Sequence, residues 1–86
     1  MAPPALTIVA HPCDETSLSA TLDAASLGII DPILVGPQGK IAAAAVGLKT
    51  DLSGLRIIDA PHSHAAAEQA VALVKAGEAE ALMKGS

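Results

Sequence analysis

A chain of 86 residues holds one small domain or a piece of a larger one, and its apolar half contains no Phe, Tyr or Trp. Much of that half is Ala, so Leu, Ile and Val must supply most of the burial, a thin core that is expected to lean on further protein. The net charge of −4 and the scattered basic residues argue against nucleic acid, whose phosphates demand clustered Lys and Arg.

The elements alternate in kind along the chain. Leu6–Ala10 is a short apolar run that reads as a buried strand. Asp14 then suits an N-cap, Leu18, Leu22 and Ala25 form a helical stripe, and Gly28 stands where a helix ends. Asp31-Pro32 punctuates, and the second strand, over 32–35, ends at Gly36. Pro37 opens a second, Ala-rich helix that runs to Gly47, and a polar loop leads to a third strand over 55–59. Ser63 is the expected cap of a third helix, with Ala67, Ala70, Val71 and Val74 as its apolar stripe. Gly77 closes that helix and 80–83 reads as a fourth strand. The order β-α-β-α-β-α-β predicts an α/β fold, a short parallel sheet between helices in a three-layer αβα arrangement. A last strand with no helix returning over it reads as an interrupted fold, the alternative being an edge strand that needs no cover.

No apolar run approaches the roughly 20 residues that span a membrane, and the first residues lack the basic start of a signal peptide. Cys13, the single cysteine, has no partner for a disulfide, so a reduced, cytoplasmic setting is expected.

In open α/β sheets ligands gather at the carboxyl ends of the strands. Four segments fall there: His11–Asp14, Gly36-Pro37, Ala60–His64 and Lys84–Ser86. Lys84-Gly85-Ser86 offers a cation, a permissive backbone and a hydroxyl, a chemistry suited to an anion, although the glycine and helix of a nucleotide-binding phosphate loop are missing. The plain alternative is a turn. His11 could donate to phosphate or merely cap its loop. Cys13 sits at a helix start, which favours thiolate, but Asp14 and Glu15 oppose it and no base is tied to it. Asp14 and Glu15 are most simply first-turn acids that suit the helix dipole. His62 and His64 fall on opposite sides of a helical start with no further ligand at metal spacing, and Glu68 pairs with His64 at i, i+4.

Val9-Ala10-His11-Pro12-Cys13-Asp14-Glu15, Ile33-Leu34-Val35-Gly36-Pro37 with Lys40-Ile41, Asp59–Ala66 and Glu80–Ser86, in that order, resemble the opening of phosphate acetyl/butyryltransferases. The likeness is nearest to the form fused to a MaoC-type enoyl-CoA hydratase. It covers nearly all of residues 1–86, read as one truncated N-terminal part. The resemblance implies two α/β domains of the isocitrate/isopropylmalate dehydrogenase-like architecture and acyl exchange between coenzyme A and phosphate in the cleft between them. Coenzyme A is there a substrate, and no other cofactor or metal is implied. The family's catalytic Asp, Arg and Ser belong to sequence beyond Ser86, so the resemblance assigns no catalytic residue here. It assigns substrate contact to Lys84, Gly85 and Ser86, with His11 beside them. A missing C-terminal domain and possible self-association are the partners it implies, with no membrane or nucleic acid, and the chain alone is expected to be inactive.

A different class of function is a small self-sufficient binding module of receiver type. Asp59 near the end of the third strand, with Asp14 and Glu15 after the first, partly matches the acidic pocket such a module needs. Such a module also needs a Lys after a late strand and a fifth βα unit, and a longer reading frame beyond Ser86 would separate the two.

Overall fold

The structure, a computed structural model, describes residues 3–85. Four strands and three helices alternate: β1 (Ala5–Ala10), α1 (Glu15–Ser26), β2 (Ile30–Gly36), α2 (Gln38–Gly47), β3 (Arg56–Asp59), α3 (Ser63–Lys75) and β4 (Ala81–Lys84). All neighbouring strands are parallel and lie in the order β3-β2-β1-β4.

Steps from β1 to β2 to β3 run one way across the sheet, and the step to β4 runs back past β1. Right-handed connections then send α1 and α2 to one face and α3 to the other. The packing shows that division. Val9 and Leu34 meet Leu18 of α1 and Ile41, Ala44 and Ala45 of α2, while Ile8, Ala10, Ile33 and Val35 meet Ala66 and Ala70 of α3. Helices on both faces make three layers, and the central strands are correspondingly apolar on both sides. Small Ala side chains let α3 lie close on the sheet, at the cost of the area a larger residue would bury.

β2 is longer than its sequence predicts, starting at Ile30 and running through Asp31-Pro32. Ala5 N–H donates to Ile29 O (3.2 Å) and His11 N–H to Val35 O (2.7 Å), which sets the odd-numbered residues of β2 facing β1. Pro32 is out of that phase, and its missing N–H points to the other side. β3 begins there only at the Ile33–Arg56 pair, so the proline interrupts no ladder.

The buried face of α3 is also turned from its expected position. Ala66 and Ala70 are buried with Leu73 and Val74 beside them, whereas Ala67 is exposed and Val71 is 41% exposed. An Ala-rich helix is weakly amphipathic, so its sequence does not point to one stripe. His62, not Ser63, caps the helix, its Nδ1 accepting from Ala65 N–H at 3.1 Å.

Candidate functional site

The strand order reverses between β1 and β4, and the connections leaving these two strands diverge to opposite faces. That is the position at which open α/β sheets form a ligand crevice. It brings His11 and Pro12, after β1, against Gly85 at the end of β4 beside Lys84, while Cys13 and Asp14 turn toward Lys40 of α2. Ser86, expected to complete this group, lies outside the described residues.

The turn after β1 is strained. His11 has φ 58°, in the left-handed region that a residue with a Cβ seldom occupies, and it precedes a proline, which disfavours helical backbone further. Such conformations cost about 1–3 kcal/mol and persist only where the surroundings impose them. Here the surroundings are explicit. His11 N–H is tied to Val35 O, and Gly85 N–H donates to Ala10 O at 2.7 Å. Pro12 is fully buried. A Cβ on Gly85 would stand 2.5 Å from His11 O and 2.8 Å from both His11 C and Pro12 Cα, and one on Gly36 would stand 3.4 Å from His11 Cα. The His11-Pro12 backbone is therefore clasped between two glycines from the flanking strands. The sequence marks Gly36 as a strand end and Gly85 as permissive backbone for an anion or a turn; their closeness to β1 needs the strand pairing.

α1 starts directly from this turn. Asp14 caps it, Oδ1 accepting from Ser17 N–H at 2.6 Å, and hydrogen bonds from the Ser17 side chain and backbone hold its carboxyl below the ordinary range. Burial pushes the Cys13 thiol up, outweighing nearby Lys40, with Asp14 adding to the rise. A raised thiol is a poor nucleophile at neutral pH, so the structure favours the inert reading of Cys13. Cys13, Asp14, Glu15 and Lys40 line an open hollow of about 370 Å³ between α1 and α2. On the other side of α1 a more enclosed groove of about 200 Å³ runs along β4, lined by Thr16, Ser17, Ala20, Thr21, Val9, Met83, Lys84 and Gly85. Pairing of Ala10 with Lys84 sets the Lys84 Cβ on the α3 side of the sheet, so Lys84 stands where the two faces meet.

The other rim segments lie apart. Pro37 gives α2 no side-chain cap; Asp59 takes over, its Oδ1 accepting from Gln38 N–H at 2.9 Å. β3 is two strands from β1, about 10 Å, so the segment after it stays outside the crevice. His62 and His64 do not diverge as a helical register would require: their rings stack with centroids 6.4 Å apart, because His62 is extended. His64 pairs with Glu68 at 2.5 Å, both largely exposed, a contact worth about 0–1 kcal/mol. Among the described residues no three His, Cys, Asp or Glu side chains are placed to hold a metal, and no helix is long and apolar enough to cross a membrane.

The order β3-β2-β1-β4 is not that of a receiver, whose first strand lies between the second and third. Asp59 ends β3 and Asp14 follows β1, strands that do not adjoin, and the acidic pocket of that alternative is not formed.

The chain is 58% identical over 83 residues to the phosphate acetyltransferase of Rhizobium meliloti, a match over 96% of this chain and 26% of that protein. It is 46% identical over 83 residues to the phosphate acetyltransferase of Rickettsia prowazekii, covering 96% and 24% respectively. With the phosphate butyryltransferase of Clostridium acetobutylicum identity is 40% over 72 residues, 84% of this chain and 24% of the relative. The chain is a stretch of phosphate acetyl/butyryltransferase sequence. It spans about a quarter of the length of the phosphate acyltransferases it matches, and because the matches take in 84–96% of this chain the resemblance carried by the four ordered segments holds over nearly all of it. No family model matches it.

Proposed function

We propose that the chain forms one wall of the acyl-transfer site of a phosphate acetyl/butyryltransferase, where acyl-CoA and phosphate give acyl phosphate and coenzyme A, and that it does not turn over alone. The observation that carries this is the strained His11-Pro12 turn, held between Gly36 and Gly85 at the strand reversal with Lys84 beside it. Strain of this kind is costly to keep and is concentrated where a ligand is met. Lys84 and the Gly85 backbone supply charge and close approach to a phosphate oxyanion, and His11 stands next to them. Stabilising the transferring group also needs further donors and a base aimed at the reacting carbonyl. The raised Cys13 thiol and the capping Asp14 are not such groups.

The same reading gives the complete enzyme two α/β domains in the isocitrate/isopropylmalate dehydrogenase-like arrangement, this sheet belonging to the first, with a cytoplasmic setting and coenzyme A as substrate. The test is a chimera in which this chain replaces the matching 83 residues of the Rhizobium meliloti enzyme. We expect coenzyme A release from acetyl-CoA or butyryl-CoA with phosphate by the chimera and none by the 86-residue chain. Lys84→Ala in the chimera should lower kcat/KM roughly a hundredfold, the scale of losing one electrostatic donor. A folded but inactive chimera, an unaffected Lys84→Ala, or turnover by the chain alone would each contradict the proposal.

A further inference from the structure

We infer that the groove between α1 and β4 receives the acyl chain of the acyl phosphate, and that Ala20 and Met83 set the chain length it accepts. This rests on the acyl-transfer reading above and adds the substrate part and the specificity residues.

The groove has a polar mouth and an apolar interior. α1 begins at the carboxyl end of β1 and runs back along the sheet, so Thr16 and Ser17 lie at the crevice, level with Lys84 and Gly85. Ala20 and Thr21 come one helical turn deeper, about 5.4 Å, beside the buried Val9 and half-buried Met83. Thr21 is itself buried and its hydroxyl donates to Ser17 O at 2.9 Å, so it backs the groove without presenting a free polar group. Val9 and Met83 are register partners on the same face of neighbouring strands, so the groove has an apolar floor whose accessible part is Met83, with Val9 buried beside it. An anionic head at Lys84 and Gly85 with a short hydrocarbon tail over Val9 and Met83 matches this polarity from end to end.

The groove within this chain, about 200 Å³, is smaller than the roughly 300 Å³ at which sites for drug-sized molecules begin and is of a size to take a short acyl chain. Ala20 is the smallest side chain on the α1 wall, and a larger one there would fill the space one turn below the mouth. Met83 forms the opposite limit with a flexible side chain that adapts to the tail it meets.

The experiment uses the 86-residue chain with ¹³C-labelled Ala, Val and Met methyl groups, titrated separately with butyryl phosphate and with inorganic phosphate and followed by NMR. Saturable shifts at Ala20, Val9 and Met83 with butyryl phosphate, absent with phosphate alone, are expected. Ala20→Leu should weaken butyryl phosphate at least about tenfold, the low end for a single methylene in an apolar pocket, and Ala20 is exposed, so the variant should fold. Met83→Ala should in turn strengthen hexanoyl phosphate relative to butyryl phosphate. The inference is overturned by the absence of saturable shifts at these methyls, by equal shifts with phosphate alone, or by unchanged butyryl phosphate binding in Ala20→Leu. Because the chimera assay judges acyl transfer separately, a groove that fails this titration leaves that reading standing on its own result.

Discussion

Replacing Gly85 with Ala tests the clasp around the His11-Pro12 turn most directly. The added methyl would lie 2.5 Å from His11 O, against at least 3.4 Å for an ordinary contact, so Gly85 must retreat by about 0.9 Å. The obstructing atoms are backbone, already fixed by the His11 N–H to Val35 O bond, and have no rotamer to change. A retreat of that size stretches the 2.7 Å bond from Gly85 N–H to Ala10 O beyond hydrogen-bond distance. Losing the bond costs about 0.5–1.5 kcal/mol, and forcing a methyl into filled space about 1–3 kcal/mol. β4 is an edge strand of four residues and can partly peel away, so the observed loss should stay near the lower end, about 2 kcal/mol. Urea unfolding at equilibrium measures it, with Gly39→Ala as the opposing control. Gly39 lies in α2 with nothing within 4 Å of an added Cβ, and Ala there should stabilise by about 0.5–1 kcal/mol. A Gly85→Ala chain at least as stable as the parent would refute the close approach and, with it, the proposed clasp.

Leu34→Ala, at a fully buried position in central β2, should cost about 2–5 kcal/mol, a large part of the roughly 5–15 kcal/mol an ordinary domain holds, and a melting curve unchanged by it would contradict the core described. Asp14 has its folded pKa lowered from an ordinary 3.8, so its capping contribution is present above that pH and is lost as pH falls through the folded value. The stability gap between the parent chain and Asp14→Ala should accordingly narrow in urea titrations taken below pH 3.8, and a gap independent of pH would rule out the charged cap. Val71 and Leu82 are 41% and 46% exposed, and Leu82 pairs with Ile8 on the α3 side of the sheet. Sedimentation over a range of concentrations should show self-association through this surface, suppressed by Val71→Glu with Leu82→Glu; a parent chain that stays monomeric throughout would refute it.

What the sequence determined by itself was local. Strand-like apolar runs, the Asp14 cap and the closing glycines Gly28 and Gly77, both at positive φ, placed all seven elements within one or two residues, since periodicity and backbone preference act over a few residues. Four ordered motifs also tied the chain to its family. The stripe of α3 was not legible, because Ala is apolar on every side of that helix and only the sheet chose Ala66 and Ala70. Strand order was decided by pairings between residues far apart: β1 joins β4 across more than seventy positions, a choice no local pattern encodes. That choice made the crevice. It separated Asp59 from Asp14, set Gly85 against His11, imposed the strained turn, and opened the groove between α1 and β4, because each depends on which strand lies beside β1.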